Sequence, residues 1–187
     1  MKYNLSDICD YVRGKVDVAS LGYENYISTE NMISNKGGIT SASSLPCVAQ
    51  TQSFQVGDVL VSNIRPYFKK IWFATFDGGR SNDVLDFCPS IVGTNYFIFN
   101  ILICDAFFNF MMQTAKGSKM PRGDKNAIMA YPVVAPTEVL QRAYSSLVEV
   151  YYKKINSNVL KNEVLTSLRD TLLPKLISGE LRVPDAE

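Results

Sequence analysis

The carboxyl-terminal part of this chain limits its fold most strongly, because residues 137–173 contain neither glycine nor proline. A stretch of that length without a helix breaker predicts one long helix. Thr137 is a suitable N-cap, Pro174 should end or kink the helix, and Gly179 should mark a sharp exit from it. Within it, ten positions step alternately by four and three residues as a heptad-like stripe: Tyr144, Val148, Tyr151, Ile155, Asn158, Asn162, Leu165, Arg169, Leu172 and Leu176.

This stripe needs a second surface to cover it. At about 1.5 Å per residue the helix reaches roughly 55 Å, which is too long to be covered by a domain of this size. The stripe therefore predicts a partner helix. Its polar members Asn158, Asn162 and Arg169 weaken a simple coiled coil, but residues of this kind can fix register and orientation. A long helix that folds back on its own domain is the alternative interpretation.

The sequence before Pro136 has a different character, with short apolar runs separated by Gly, Ser, Asn and Pro. This pattern predicts a mixed α and β domain. We expect a short helix near 6–12, a helix over 101–115, and strands near 26–28, 59–64, 70–74, 95–99 and 130–134. The predicted fold class is α+β, with a domain over 1–136, a long helix over 137–178 and a tail over 179–187.

Composition argues against several classes of function. The 187 residues include no histidine, and the four cysteines at 9, 47, 88 and 104 form no C-x-x-C pair. A zinc site is therefore not expected, the cysteines are expected to be reduced core thiols, and the commonest general base is missing. The apolar stretch 96–112 is broken by polar residues, which indicates a buried helix and not a membrane span. Without a secretory signal at the start, the sequence predicts a cytoplasmic protein.

The net charge is only +1, yet two segments concentrate basic residues. The first, GDVLVSNIRPYFKKIW at 57–72, predicts a turn, a buried strand, a basic and aromatic loop, and a second strand. Arg65 can donate two hydrogen bonds to a guanine edge or a phosphate, whereas Lys69 and Lys70 can neutralise phosphates and Tyr67 can stack. A hairpin with a merely solvated basic tip is the competing interpretation.

The second basic segment covers 113–136, where four basic residues recur at spacings of three. This spacing suits a loop that follows a phosphate backbone, and the full phosphate-binding pattern for a nucleotide is absent. A polar loop over 28–44 adds Lys36 but is uninformative alone. The candidate DNA-binding residues are Lys36, Asn63, Arg65, Tyr67, Lys69, Lys70, Lys116, Ser118, Lys119, Arg122 and Lys125.

The sequence lacks the catalytic motifs of DNA-modifying and DNA-cleaving enzymes. The segment NIRPY at 63–67 lacks the two consecutive prolines of the amino-methyltransferase motif, and no glycine-rich loop is available for a methyl-donor cofactor. No convincing nuclease motif is present either. The sequence therefore predicts no catalytic residue, no metal and no cofactor in this chain. The missing motifs argue against the alternative of a stand-alone nuclease or methyltransferase.

Four segments carry a resemblance to a known family. They are SLRDTLLPKLISGELRV at 167–183, YISTENM at 26–32, and GDVLVSNIRPYFKKIWFA at 57–74 with GSKMPRGDKNAIMAYPVVAP at 117–136. Together they resemble the specificity subunits of type I restriction-modification systems. Such subunits usually contain two target-recognition domains, each followed by a helix, and the two helices pack antiparallel as a ruler between the halves of a bipartite DNA site.

The resemblance implies a set of partners. With one domain and one helix, this chain resembles a half subunit, and two copies are expected to pair through Tyr144 to Leu176 as a homodimer that reads an inverted repeat in double-stranded DNA. A modification (methyltransferase) subunit would bring S-adenosylmethionine, and a restriction subunit would bring ATP-driven cleavage, so those cofactors belong to the partners. The alternative is a regulator or decoy that sequesters a partner subunit through its helix and needs neither basic segment.

Overall fold

The computed structural model describes residues 2–181, which form two compact units. The first unit ends at Ser146 and the second begins at Leu147. This division falls within the long helix and not at Pro136. The division predicted from the sequence, at 136 and 178, therefore stays a prediction, and the last residues of its tail, 182–187, lie outside the described part of the chain.

The first unit contains ten strands in three sheets. Strands β1 (Lys2–Asn4) and β10 (Pro132–Val134) pair antiparallel. An antiparallel sheet has the order β2 (Cys9–Tyr11), β9 (Val84–Pro89), β6 (Val59–Ser62) and β7 (Ile71–Phe73). A third sheet has the order β3 (Lys15–Asp17), β5 (Gln50–Phe54), β8 (Gly78–Arg80) and β4 (Tyr26–Ile27), with only the last pair parallel.

The central strands explain the apolar runs in the sequence. All four residues of β6 are buried, as are the first four of β9, because both strands lie inside the sheet with packed side chains on each face. In β8, Gly78 is required by a close approach. A Cβ atom there would lie 2.1 Å from the carbonyl oxygen of Asn25, so any side chain would collide with the backbone.

The described residues also form three short α-helices and one long α-helix. These are α1 (Asn95–Leu102), α2 (Asp105–Gln113), α3 (Lys125–Met129) and α4 (Glu138–Ile177). Phe107, Phe108 and Met111 of α2 are fully buried, so this helix contributes much of the core. Asp124 caps α3 by accepting hydrogen bonds from the amides of Asn126 and Ala127.

The predictions of local structure were partly wrong. The helix expected near 6–12 is a 3₁₀ turn at Leu5–Asp7 followed by strand β2. The strand expected near 95–99 begins α1, because Ile98 and Phe99 pack into the core from a helix although aromatic and branched residues favour strands. The single helix over 101–115, and the buried helix over 96–112, are divided into α1 and α2 at residues 103–104.

The prediction that all four cysteines are core thiols was also wrong. Cys9 is buried, and burial raises the pKa of its thiol well above the ordinary value. Cys88 is half-buried, whereas Cys47 and Cys104 are exposed. All four are free thiols. The error arose because wide spacing excludes a metal site but does not predict burial.

A buried ion pair joins the two larger sheets. Arg80 at the end of β8 donates from Nε to Oδ2 of Asp86 on β9 across 3.1 Å, and their side chains are 7% and 0% exposed. The same guanidinium donates to the carbonyl oxygens of Val84, at 2.8 Å, and Val12, at 3.0 Å. Arg80 therefore connects three segments of the domain through one charged group.

The long helix α4 begins after Thr137, as the sequence predicts. It continues through Pro174 to Ile177, so Pro174 does not end it, and Gly179 follows with a φ of 76°. Gln141 and Ser145 are its buried residues, and the amide of Phe97 donates to the Ser145 hydroxyl. Many apolar side chains on the helix are exposed, including Tyr151 at 64%, Ile155 at 54% and Leu165 at 60%.

Among residues 2–181, no single helix combines the length and apolar composition needed to cross a membrane, although α1 and α2, bent by 62°, pass those criteria as a pair.

Candidate nucleic-acid interface

Three segments that are far apart in the sequence form one surface of the first unit. The amides of Asn35 and Lys36 donate to the carbonyl oxygens of Phe68 and Lys69, at 2.8 and 2.9 Å. The amide of Arg65 donates to the Pro121 carbonyl at 2.8 Å. The polar loop, the β6–β7 hairpin and the second basic segment are therefore joined by their backbones. We call this surface, formed by 31–40, 63–70 and 116–123, the three-loop surface.

Backbone strain is concentrated on the three-loop surface. Within residues 2–181, four non-glycine residues have positive φ, namely Asn35 at 56°, Lys36 at 63°, Arg65 at 50° and Lys69 at 51°. All four lie on this surface, and Arg65 and Lys69 flank the 3₁₀ turn Pro66–Phe68 at the tip of the hairpin. A left-handed conformation costs about 1–3 kcal/mol for such residues and persists where the surroundings impose it. Strain of this kind is typical of ligand-binding loops.

Aromatic side chains cover the tip of the hairpin. Tyr67 is 48% exposed and Phe68 is 37% exposed, and their ring centroids are 4.6 Å apart. The ammonium group of Lys70 lies 5.8 Å from the Phe68 centroid and donates to the Thr29 carbonyl at 2.6 Å. Burial lowers the pKa of Lys70. Lys70 therefore connects the hairpin to the polar loop, whereas the exposed rings of Tyr67 and Phe68 can contact a ligand.

Carboxylates hold several of the basic side chains that were predicted to contact DNA. Asp105, at the start of α2, binds Lys36 at 2.7 Å and Lys69 at 3.0 Å. Lys36 and Lys69, through their hydrogen bonds, hold the pKa of Asp105 below its usual value. Two further pairs are Lys116 with Asp124, at 2.5 Å, and Arg122 with Asp83, at 3.1 Å. These pairs fix the positions of the cations and neutralise much of their charge.

Other predicted residues are placed differently. In the described part of the chain, Arg65, Lys119 and Lys125 form no salt bridge, and Ser118 and Lys119 are exposed within the second basic segment. Arg65 has a buried Nε without a hydrogen-bond partner. The Asn63 side chain is buried, whereas its backbone amide donates to the Asp83 carbonyl and its backbone carbonyl accepts from the Gly123 amide. Lys125 begins α3, where its carbonyl accepts from Tyr11.

A polar cleft of about 420 Å³ lies beside the three-loop surface. Asn31 shapes it by donating to the carbonyls of Tyr26, at 3.0 Å, and Thr40, at 2.8 Å, and by accepting from the amide of Ser28 at 2.6 Å. Asp83, which binds Arg122, also borders the cleft. Its hydroxyl-bearing lining residues are Tyr26, Ser28, Thr29, Thr40, Ser41, Ser43, Ser44 and Ser81.

Sequence reasoning missed the roles of Asp83, Asp105 and the cleft. The loop over 28–44 was uninformative alone, although the YISTENM segment in it carried part of the family resemblance. Asp83 and Asp105 lie 39 and 69 residues from the Arg122 and Lys36 that they bind. No local spacing signals such a contact. No cluster of three metal-ligating side chains occurs among the residues that the structure describes.

Comparison with solved structures defines the class of fold. The structure of the specificity (HsdS) subunit from Thermoanaerobacter tengcongensis aligns with 100% of this chain, and the aligned part makes up 50% of that subunit. The TM-score is 0.60 and the sequence identity is 18%. The structure of the type I restriction-modification S subunit from M. genitalium aligns with 95% of this chain and 46% of that subunit, with a TM-score of 0.64 and a sequence identity of 13%. The chain therefore has the specificity-subunit fold, a mixed α/β domain with a long carboxyl-terminal helix.

Sequence comparison finds similar proteins among the type I specificity subunits. The specificity subunit of the type I restriction enzyme EcoDI from Escherichia coli is 26% identical over 154 residues, which are 77% of this chain and 31% of that protein. The specificity subunit of the type I restriction enzyme MjaIX from Methanocaldococcus jannaschii is 32% identical over 91 residues, which are 49% of this chain and 21% of that protein. The resemblance to type I specificity subunits that the sequence indicated is therefore confirmed, although no family model matches the chain. It spans less than a third of these curated relatives.

Proposed function

We propose that this chain recognises DNA in a type I restriction-modification system and binds one half of a bipartite or inverted-repeat target. The observation that carries the proposal is the three-loop surface. It brings together the two basic segments and the polar loop, and it contains all four strained non-glycine residues described. Strain there is consistent with loops preformed for a ligand. The names of the curated relatives support the same role.

The chemistry of this surface suits a DNA duplex. The guanidinium of Arg65 can bind a phosphate or the edge of a guanine, and the exposed Tyr67 ring can pack against a sugar or a base. Lys119 is available for a phosphate without leaving a carboxylate. Lys36 and Lys69 would exchange Asp105 for a phosphate, which makes their contribution smaller because an existing ion pair must be replaced.

The proposal extends to the assembly. Two copies pair antiparallel through α4, so the two domains read an inverted repeat with a fixed spacer. The complex acts in the cytoplasm, where modification and restriction subunits are positioned by this chain and supply the chemistry. The chain itself is non-catalytic. Its relatives are named as specificity subunits of restriction enzymes, which supports this division of labour.

Replacing Arg65, Lys119 and Arg122 together by alanine should weaken binding to selected target DNA about 10- to 100-fold, since up to three phosphate or base contacts are lost. Binding would be measured with the modification subunit present, across a range of salt concentrations. The logarithmic salt dependence should become shallower by up to about 3. In contrast, Asp105→Asn should strengthen binding several-fold, because it releases Lys36 and Lys69 from their shared carboxylate.

A matched control removes three positive charges elsewhere, through Arg13→Ala, Lys15→Ala and Lys153→Ala. These exposed residues lie outside the three-loop surface, so the control should keep nearly all of the affinity. Thermal unfolding of every variant checks that the domain remains folded. Equal losses in the two triple variants would point to a general charge effect. Unchanged binding in both would favour the alternative function, a regulator that sequesters a partner subunit through its helix.

The pairing of two copies is tested by sedimentation of the full chain. We expect a dimer at micromolar concentration, because the apolar side chains exposed along α4 lose water only when a second helix covers them. Sedimentation equilibrium at several concentrations gives the mass directly. A monomer throughout the micromolar range would contradict homodimerisation and leave the DNA-binding proposal to be judged by itself.

A further inference from the structure

The stripe on α4 is symmetric along its length. Its ten residues, from Tyr144 to Leu176, are separated by 4, 3, 4, 3, 4, 3, 4, 3 and 4 positions, a series that is the same in both directions. The centre of the series is Leu160. In an antiparallel pair of heptad helices, each a position faces a d position of the other helix. A symmetric series therefore lets the stripe pair with itself.

We propose that two copies pair antiparallel with the two-fold axis at the level of Leu160, an inference that rests on the proposed homodimer and specifies its register. Each stripe residue then faces a member of the same stripe in the second copy. The five pairs, each formed twice, are Tyr144 with Leu176, Val148 with Leu172, Tyr151 with Arg169, Ile155 with Leu165, and Asn158 with Asn162.

The chemistry of the pairs supports this register. Three of the five pairs are wholly apolar or aromatic, so they bury side chains that are now 36–60% exposed, such as Ile155, Leu165 and Leu172. Asn158 meets Asn162, and two amides can satisfy each other with hydrogen bonds. Arg169 meets Tyr151, whose ring can accept a guanidinium on its face. Every polar residue of the stripe therefore has a suitable partner.

Neighbouring registers lack this property. A shift of one heptad in one direction places Asn158 against Ile155 and Asn162 against Tyr151. The opposite shift places Asn162 against Leu165. Parallel pairing would place Arg169 against its own copy, which brings two like charges together. A buried amide without a partner costs about 1–3 kcal/mol, and each mismatch occurs twice in a symmetric dimer. The polar residues thus select one register instead of merely weakening the interface.

In this register the helix of the second copy would cover an apolar groove of the first unit. Tyr144 forms one wall of a groove of about 390 Å³ that also contains Phe97, Ile101 and Val134. The Tyr144 ring packs edge-on against Phe97, with centroids 6.1 Å apart. Because Tyr144 faces Leu176 of the second copy, the end of that copy's helix is brought to this groove. Its exposed apolar residues would cover Val134, which is now 73% exposed.

Distances between spin labels test the register. Lys153→Cys and Ser167→Cys each place a label seven residues from Leu160, on the side opposite the stripe, in a full chain whose four native cysteines are replaced. At 1.5 Å per residue, each label should lie about 21 Å along the helix axis from the same label in the second copy. The distances measured at the two positions should therefore be equal. A label at Ser146→Cys should show about 42 Å along the axis.

The outcomes separate the register from the dimer itself. A shift of one heptad would give the labels at 153 and 167 unequal axial separations, about 10 and 31 Å, and would overturn the proposed register. Parallel pairing would give three similar short distances and would overturn it too. A monomer in sedimentation would instead overturn the homodimer on which the register rests. If the cysteine-free chain does not fold, charge pairs introduced at 155 and 165 test the same register in the native background.

Discussion

Replacing Arg80 by methionine should lower the free energy of unfolding by about 3–5 kcal/mol well above pH 7, where Asp86 is ionised in the native chain, because the variant leaves that buried carboxylate without its cation. Arg80 also bonds the carbonyls of Val12 and Val84, so the variant loses connections between three segments. Urea unfolding followed by circular dichroism measures the effect. Since this pair lies inside the domain, the loss should be the same at all protein concentrations.

The matched variant removes both charges through Arg80→Met and Asp86→Leu. It should be much less destabilised than the single variant, because an apolar pair of similar volume leaves no uncompensated charge. The carbonyls of Val12 and Val84 still lose their donor, which keeps the double variant below the native chain. A double variant as unstable as Arg80→Met would show that the lost hydrogen bonds, and not the isolated carboxylate, dominate the energetics.

The pH dependence of the Arg80→Met variant follows from the carboxyl group. Burial, with repulsion from Asp58, raises the pKa of Asp86 to about 7, whereas Arg80 opposes the rise. The folded state therefore binds more protons than the unfolded state between about pH 4 and pH 7, and this group's contribution to stability falls as the pH rises through that window. Without Arg80 the pKa of Asp86 rises further, so this pH window extends to higher pH. Relative to the native chain, the variant should therefore be less destabilised below about pH 7, where Asp86 is largely neutral in both chains, than above it, where the native carboxylate is ionised beside Arg80.

Local patterns predicted the elements that are continuous in sequence. The hairpin of β6 and β7 and the helix α4 were predicted because each is signalled by its own residues, an apolar run with a basic turn and an unbroken heptad-like stripe. Strand β5, with the sequence QTQSF, and strand β8, with GGR, were missed. Neither resembles a strand locally. They are held by pairing with each other and by the close approach of Asn25 to Gly78.

The site was predicted in pieces and not as a whole. The sequence identified Lys36, Arg65 and Arg122 as candidates on separate segments, and backbone hydrogen bonds between those segments form the three-loop surface. The left-handed conformations of Arg65 and Lys69 could not be predicted, because neither residue type favours them. Long-range pairing also determines that Asp105 restrains two of the lysines, which charge counting over a short window cannot reveal.

Replacing Ile155 by glutamate should weaken the dimer on the order of 1,000-fold. In the proposed register Ile155 faces Leu165 of the second copy, so a symmetric dimer would bury two carboxylates against leucine, at roughly 2 kcal/mol each. Sedimentation equilibrium measures the change. Asn156→Glu adds the same charge one residue away on the outward side of the helix, and it should leave the dimer nearly unchanged.

A second substitution identifies the register through this loss. Combining Ile155→Glu with Leu165→Lys places each new carboxylate opposite a new ammonium group, so the double variant should recover much of the lost affinity, with a dependence on salt that the native dimer lacks. Leu165→Lys alone should be as disruptive as Ile155→Glu. Recovery would require residues 155 and 165 to face each other across the axis. Two independent losses that simply add would show that these positions do not meet, and DNA with the inverted repeat would then be read through another spacing.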